Sequence, residues 1–430
     1  MKYRLGDICT ITKGAIGIMK AIPGPYTMIA LGETDKTHNE YQFDAKAVII
    51  PLVSSTGHGH ASMKRVKYFE GKFALGNILC AVIPKDNNFV LAKYLHIYLH
   101  WNREELLVSQ MKGMANVSLP MNRIADVIVT VPSIEKQKEI IELEKKLVER
   151  ELEADKLFAF QLTHLENLNQ AILQEAVQGK LVKQDPKDEP ANELLKRIKA
   201  EKAKSGKKEK PLPPIKPEEV PFEIPKNWVW CRLGEITNIQ RGSSPRPKGD
   251  PRYFSKSKTT LNWITISDIS NFCENNILLQ TREFLTEEGS KQSRYVDENE
   301  FIIAVSGSTT GKCCITGIKG FIYDGLAVAK IIDNSFNSRY LLNYMMCLYT
   351  TINNSKTGAS FPNINTDYLN NLIFPLPPLA EQLRINKEIE KQLAKTKQLK
   401  EHIIANQQAT EQLLKALLHQ AFEVNNKIEV

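Results

Sequence analysis

Gly307-Ser308-Thr309-Thr310-Gly311-Lys312 is the segment whose composition most invites chemistry. Two glycines, three hydroxyls and a lysine could cradle a phosphate on backbone N–H groups. The spacing argues against a nucleotide loop. One residue is missing between the glycines, and Cys313 stands where a Ser or Thr would hold magnesium. Two readings remain: a polar turn between strands, or a loop whose backbone N–H groups, hydroxyls and lysine contact phosphates and base edges. Ser54-Ser55-Thr56-Gly57-His58-Gly59-His60, followed by Lys64-Arg65, has a similar make-up and is read as its counterpart. His58 with His60, and His96 with His100 one turn apart, are candidate metal ligands. No carboxylate or cysteine constellation lies at the spacing a metal site needs, so structural or loop roles fit them better. The chain contains no Asn-Pro-Pro-Tyr-like methyltransferase motif and no glycine-rich methyl-donor loop. It also offers no convincing nuclease carboxylate cluster or Ser/His/Asp arrangement. Neither a catalytic residue nor a metal site is therefore assigned.

The chain that must position these segments has 430 residues, enough for two to four domains with cores of their own. Its 42% hydrophobic and 25% charged residues describe an ordinary globular protein. A net charge of +8 favours polyanions by long-range attraction without identifying one. Met1 to Asp7 has none of the apolar core of a signal peptide, and no run of about 18 apolar residues suggests a membrane span. Seven cysteines, an odd number without Cys-x-x-Cys spacing, suggest free thiols in a reducing cytoplasm.

An internal repeat organises the rest. Arg4-Leu5-Gly6-Asp7-Ile8, with Ile11 and Lys13-Gly14, recurs at constant offset as Arg232-Leu233-Gly234-Glu235-Ile236, with Ile239 and Arg241-Gly242. At a second, longer offset Pro132, Gln137 and Ile140 recur as Pro377, Gln382 and Ile385. The same longer offset carries Ala171-Ile172-Leu173 and Ala176 onto Ala416-Leu417-Leu418 and Ala421. Each copy thus has a variable head and a spacer of fixed length. Residues 1–131 and 228–376 read as mixed α/β heads. Strand-like runs occur at Ala47–Ile50, Ile78–Ile83, Phe301–Val305 and Ala327–Ile332, and a helix is predicted from Leu91 to Trp101. Residues 132–179 and 377–424 read as long helices. Ile140, Leu143, Leu147, Leu162, Leu165 and Ile172 mark the apolar stripe of the first. Ile385, Ile389, Leu393, Ile403, Leu413 and Leu417 mark that of the second. At about 1.5 Å per residue each rod is roughly 70 Å long, too long to bury its stripe on one small head. An antiparallel coiled coil of the two is expected, with the heads at opposite ends. Residues 180–227 form the joint: a turn, a short polar helix from Ala191 to Lys204 and a Pro/Lys-rich linker. Residues 425–430 are a tail.

Several segments, in this order, carry a resemblance. Leu376-Pro377-Pro378-Leu379-Ala380-Glu381-Gln382 is one, and Ala171–Ala176 with Gly179-Lys180-Leu181-Val182 and Gln184-Asp185-Pro186 is another. The linker end Ile224-Pro225-Lys226-Asn227-Trp228-Val229-Trp230 is a third. The fourth is Arg241–Pro247 with Asn262-Trp263-Ile264 and Asp268-Ile269. Together they resemble the specificity subunits of Type I restriction–modification systems, over essentially the whole chain. The resemblance implies an α+β fold, with two target-recognition domains separated by two long antiparallel helices in a pseudo-two-fold repeat. It implies a non-catalytic, cytoplasmic subunit in which each head reads half of a bipartite, asymmetric double-stranded DNA target. Two modification (methyltransferase) subunits using S-adenosylmethionine would bind the helices. Restriction (motor–nuclease) subunits using ATP and magnesium would join them. The first copy departs from the pattern: Ser133 stands for Pro378, Lys136 for Glu381, and no Ser-Pro-rich opening follows Gly14. The reading from another class is a coiled-coil scaffold whose heads bind protein, without DNA specificity.

Under the DNA reading, Lys13 and Arg241 are phosphate anchors at equivalent positions. In the first head the candidate contacts are Ser54, Ser55, Thr56, His58 and His60, then Lys64 and Arg65, then Lys112, Asn116 and Ser118. In the second they are Ser243, Ser244, Arg246 and Lys248, then Ser306, Ser308, Thr309, Thr310 and Lys312. Lys356, Thr357, Ser360 and Asn363 complete the set and correspond in place to Lys112–Ser118.

Overall fold

The computed structural model describes residues 1–55, 60–113, 117–204, 211–307, 309–332, 336–354 and 364–423. Each repeat opens on the same device. Strand Lys2–Arg4, a helical turn Leu5–Ile8 and strand Cys9–Lys13 are matched by Val229–Arg232, Leu233–Ile236 and Thr237–Arg241. The first strand of each trio pairs antiparallel with the last strand of its head, Ile128–Thr130 or Ile373–Leu376. Leu5 and Leu233 are fully buried. The glycine after each is set by packing. A Cβ on Gly6 would meet the Ala125 Cβ at 3.0 Å, and one on Gly234 would meet the Asn370 side chain at 2.6 Å. The repeated Arg-Leu-Gly-acid-Ile segment is therefore the seam that closes each head on itself.

The chain divides into two compact units, Met1–Phe160 with His402–Val430, and Gln161–Glu401. In the first, a six-stranded sheet runs in the order Cys9–Lys13, Leu79–Pro84, Phe43–Pro51, Lys67–Leu75, Tyr26–Ile29, Lys36–His38. Val48, Ile50, Cys80 and Val82 pack one face against Tyr94, Leu95, Ile97 and Leu99 of helix Ala92–Trp101. Ala47, Ile49, Phe73 and Ala81 bury the other face. Burial on both faces explains why these strands are continuous apolar runs rather than alternating ones.

The second unit holds a six-stranded sheet in the order Thr237–Arg241, Leu326–Ile331, Phe301–Ala304, Cys313–Thr316, Ile277–Leu278, Cys273–Glu274. It also holds a five-stranded sheet of strands two or three residues long: Phe254–Ser255, Glu283–Leu285, Asn262–Ile264, Gly320–Ile322, Arg294–Val296. The joint helix Ala191–Lys204 is no free connector. Its Ala191, Leu194, Leu195 and Ile198 are buried in this unit's core.

The long helices run from Ile134 to Val177 and from Leu379 to Glu423. In the first unit Ile140 shares the core with Leu418 and Phe422, and Gln407 Nε2 donates to Asp155 Oδ1 at 3.2 Å. In the second, Ile172, Leu173 and Ala176 share the core with Ile385 and Ile389, and Thr396 Oγ1 donates to Asn169 Oδ1 at 2.7 Å. In each unit the pairing is antiparallel. Among the described residues no helix is long and apolar enough to cross a membrane.

The repeated glutamines lock helix to head. Gln137, fully buried, accepts the Leu91 N–H at 2.8 Å and donates to the carbonyls of Phe89 at 3.0 Å and Pro132 at 2.9 Å. Gln382, equally buried, accepts the Asn337 N–H at 2.9 Å and donates to the Pro377 carbonyl at 3.0 Å. The departures of the first copy have local causes. Ser133 Oγ accepts the Lys136 N–H at 3.4 Å as a helix cap, and Lys136 pairs with Glu139 on the surface. Glu381, by contrast, is buried and accepts from Gln184 of the joint at 2.6 Å.

His96 and His100 hold both backbone groups of one residue, Val66. His96 Nε2 donates to the Val66 carbonyl at 3.0 Å, and the Val66 N–H donates to His100 Nδ1 at 3.4 Å. Burial, with Lys93 and Arg103 nearby, pulls both rings down to about 4. Unfolded histidines protonate near 6.5, so from about pH 6.5 to 4 the unfolded chain binds more protons. Stability is then lost as pH falls, by roughly 3 kcal/mol for either ring taken alone. Amide exchange in Ala92–Trp101 is expected to accelerate steeply between pH 6.5 and 4, after correction for intrinsic rates. His96→Gln and His100→Asn together should flatten that profile. A wild-type profile that is already flat would refute the assignment.

Candidate nucleic-acid interface

In the second unit the candidate residues emerge from one end of the six-stranded sheet. Arg241 is in register with Ala327, and Ala304 with Leu326. The strand end at Arg241 and the segment toward Ser306 therefore meet at the turn Tyr323–Gly325. Arg241 Nε donates to the Asp324 carbonyl at 2.7 Å, and Arg246 pairs with the Asp324 carboxylate at 2.8 Å. Ser244 Oγ accepts the Asp324 N–H at 3.2 Å, and the Val305 N–H donates to the Gly325 carbonyl at 2.9 Å. Ser243 Oγ donates to the Gln292 carbonyl at 3.0 Å. Ser306 lies against Gly325, where an added Cβ would come within 2.7 Å of its Oγ.

Beside this turn lies a cavity of about 250 Å³. Ser244, Arg246, Lys248 and Arg282 provide polar and cationic lining, and Phe254, Trp263 and Tyr323 provide aromatic lining. Trp263 is buried and held edge-on by Phe254 at 5.9 Å and Tyr323 at 6.4 Å. Thr265 caps the helix Ile266–Asn271 through the buried Asp268, whose carboxylate lies 3.8 Å from the Arg282 Nε. Trp263 and the Thr265–Ser267 start of that helix thus line the cavity. Arg282 has no counterpart in the sequence reading, and no local signal marks it. Only the sheet brings it across to Ser267 and Asp268.

The Gly307–Lys312 segment closes a hairpin between strands Phe301–Ala304 and Cys313–Thr316. Thr310 Oγ1 donates to the Gly307 carbonyl at 2.7 Å, and the Lys312 N–H donates to the Thr309 carbonyl at 3.1 Å. A strand, not a helix, follows Lys312, so the helix N-terminus that a phosphate loop uses is missing there. Lys312 Nζ donates to Ser270 at 3.2 Å rather than to the Asp324 turn.

The first unit repeats the frame. Lys13 is in register with Cys80, Pro51 with Leu79, and Ile49 with Lys67, so Lys13 and the loop after Pro51 share one sheet end. There the Ser54 N–H donates to the Val117 carbonyl at 3.0 Å and Ser54 Oγ donates to the His60 carbonyl at 2.6 Å. Ser55 Oγ accepts the Lys64 N–H at 3.1 Å. Lys112 and Ser118 exchange backbone hydrogen bonds at 2.8 Å, and Val53 bridges to Ser118. Ser54, Ser55, His60, Lys64, Lys112 and Ser118 are thus gathered. Arg65 is turned to Glu33, at 2.7 Å. Thr56, His58, Asn116, Ser308, Lys356, Thr357, Ser360 and Asn363 lie outside the described residues.

Lys13-Gly14 and Arg241-Gly242 do the same work. The Gly14 N–H donates to the Leu79 carbonyl at 2.9 Å and that of Gly242 to the Leu326 carbonyl at 2.8 Å. Neither glycine has space for a side chain. A Cβ would lie 2.2 Å from the Gly76 carbonyl oxygen in one and 2.1 Å from that of Tyr323 in the other. Among the described residues no group of three or more His, Cys, Asp and Glu is placed to hold a metal ion. The surface offers cations, hydroxyls, backbone donors and aromatic edges, the groups that contact phosphates and bases.

A family model described as the Type I restriction modification DNA specificity domain matches residues 1–157 and 225–407. The chain is 32% identical to the Type I restriction enzyme EcoEI specificity subunit of Escherichia coli over 281 residues, 61% of this chain and 46% of that protein. It is 35% identical to the Escherichia coli EcoAI specificity subunit over 270 residues, 57% of this chain and 42% of that protein. The chain spans less than half the length of these two relatives. Against the Escherichia coli EcoDI specificity subunit the identity is 22% over 427 residues, 97% of this chain and 86% of that one. A chain from a structure of complex assembly and conformational transition in the type I R-M system superposes with a TM-score of 0.67 at 18% identity, covering 99% and 97% of the two chains. The crystal structure of the HsdS subunit from Thermoanaerobacter tengcongensis gives 0.57 at 18% identity, covering 99% and 96%. These last two likenesses establish a shared fold.

Proposed function

Because the chain belongs to the Type I restriction–modification DNA specificity family, we propose that it is the subunit that reads a bipartite, asymmetric DNA target for partner enzymes. The observation that carries this reading is the pair of like frames with unlike loops. Lys13-Gly14 and Arg241-Gly242 end equivalent strands at equivalent sheet ends. After them, one head continues with Ala15-Ile16-Gly17-Ile18 and the other with Ser243-Ser244-Pro245-Arg246. Equivalent phosphate anchors with different groove-facing loops are what two different half-sites require, since phosphate contacts position and base contacts specify. The family match gives no support to a protein-binding scaffold without DNA specificity.

In this reading the chain is non-catalytic and acts in the cytoplasm. Two modification subunits bind it, carry S-adenosylmethionine and extrude an adenine from each half-site for methylation. Restriction subunits add ATP- and magnesium-dependent translocation and cleavage. This chain's task is placement. Lys13, Arg241 and Lys248 neutralise phosphates, and the loops beside them discriminate bases. Mapping methylated adenines in cells that express the chain with its modification partner tests the reading. The expected result is one split, non-palindromic motif. A symmetric motif, or methylation with no motif, would overturn it.

The long helices act as the ruler. Inserting four residues at matched positions of both helices should lengthen each by about 6 Å. The required gap between half-sites should then grow by about two base pairs at 3.4 Å per step. An unchanged gap in the methylation map would remove the ruler.

A further inference from the structure

The segment after Gly14 is built of different material from its counterpart after Gly242. Ile18, Met19 and Ile22 are exposed at 39%, 90% and 57%, where the other head carries Arg246, Pro247 and Asp250 at the same offset. The exposure belongs to a held backbone. The Ile16 N–H donates to the Leu75 carbonyl at 3.3 Å, and the Asn77 N–H to the Ile16 carbonyl at 2.9 Å. Gln42 accepts the Ala15 N–H at 3.0 Å, and His38 Nδ1 accepts that of Ile22 at 3.1 Å. Ile18 and Met19 sit on a single 3-10 turn, closed by Lys20 N–H to the Gly17 carbonyl at 2.8 Å.

The surroundings identify the occupant. From Ile8 through Gly32 the chain carries no carboxylate. Lys13, Lys20 and Lys36 are exposed, and Lys36 Nζ donates to the Ile18 carbonyl at 3.4 Å. An apolar tip with a cationic rim, at the sheet end that carries the phosphate anchor, matches a duplex: phosphates outside, stacked bases within. We propose that Ile18 and Met19 form an apolar wedge that enters the base stack of the half-site read by the first head, with Lys13, Lys20 and Lys36 on the flanking phosphates. This rests on the reading of the chain as a DNA specificity subunit. The two heads then recognise DNA by different physics: one by unstacking a deformable step, the other by cations and hydroxyls in the groove.

The test uses the full chain in complex with its modification subunits, on duplexes carrying the mapped target. 2-Aminopurine replaces each purine of the first head's half-site in turn. Apart from the adenine that the modification subunits extrude, the wild type should raise fluorescence several-fold at one step of the target and at none of a scrambled duplex. Met19→Ala should abolish the rise and weaken binding about tenfold or more, whereas Met19→Leu should keep both. Lys20→Ala should reduce the salt slope of binding by about one unit without moving the fluorescent step. A wild-type profile that is flat outside that adenine, or an unchanged rise in the Ile18→Ala/Met19→Ala double variant, overturns the wedge while target binding leaves the parent reading standing. Loss of assembly with the modification subunits in Met19→Ala, seen by sedimentation, would show a protein contact instead and also overturn it. A wild-type complex that binds target and scrambled duplex alike refutes the parent reading, and the wedge with it.

Discussion

Replacing Gly242 with alanine is expected to disrupt the second head's candidate DNA surface and to destabilise the head by about 3–5 kcal/mol. The new Cβ would sit 2.1 Å from the Tyr323 carbonyl oxygen and 2.6 Å from that of Ile322. Both obstacles are backbone, at the end of strand Gly320–Ile322 and in the turn that follows it, so no rotamer change relieves them. Strand Thr237–Arg241 must separate from Leu326–Ile331, or the Tyr323–Gly325 turn must move. Either way Arg241, Ser244 and Arg246 lose the turn that orients them. Urea unfolding with amide exchange should show the loss in Thr237–Arg241. Methylation mapping should show degraded recognition at one half-site only. Gly14→Ala should do the same to the other half-site, because its Cβ would meet the Gly76 carbonyl oxygen at 2.2 Å. Gly32→Ala is the control. Nothing lies within 4 Å of its Cβ position, and its effect should stay within about 0.5 kcal/mol. A Gly242→Ala chain as stable as that control would contradict the close approach.

The second large effect is expected at the paired glutamines. Gln382→Leu keeps the side-chain volume roughly constant but leaves the Asn337 N–H and the Pro377 carbonyl without their partner in the interior. Each such orphan costs about 1–3 kcal/mol, so a loss of roughly 2–6 kcal/mol is expected. Gln137→Leu should cost more, since it strands the Leu91 N–H and the carbonyls of Phe89 and Pro132. Gln382→Glu, which keeps an acceptor and removes the amide donor, should rank between wild type and the leucine variant. Chemical denaturation gives the ranking. Equal midpoints for all of them would mean that helix and head are held by apolar packing alone.

Much of the candidate site was legible because the repeat carried it. Lys13-Gly14 and Arg241-Gly242 stood out as equivalent from spacing alone, and the structure places both at the end of the edge strand of a six-stranded sheet. The glutamines five residues after Pro132 and Pro377 were visible as a pattern without a reason; burial supplies the reason. His96 and His100 could be demoted from metal ligands by their lack of a third partner. Their actual role, holding the N–H and the C=O of Val66, depends on a segment some 30 residues away. The five-stranded sheet of the second head was unreadable, since strands of two or three residues contain no periodicity to detect. Arg282 was invisible for the same reason. The polar helix from Ala191 to Lys204 looked like a connector because its buried stripe is only four residues wide.

By itself the sequence determined the two long helices and the duplicated plan. These depend on local spacing: a 3.6-residue apolar stripe uninterrupted by glycine or proline, and two copies of the same seam. Tertiary structure alone decided which cations converge on the Asp324 turn, which hydroxyls brace loops, and that Ile18 and Met19 stand exposed on a held backbone. The physical reason is the range of the forces involved. Helix periodicity is written within a few turns of chain. The direction of a side chain at a sheet end is set by strand neighbours tens of residues away, through register that no single segment encodes.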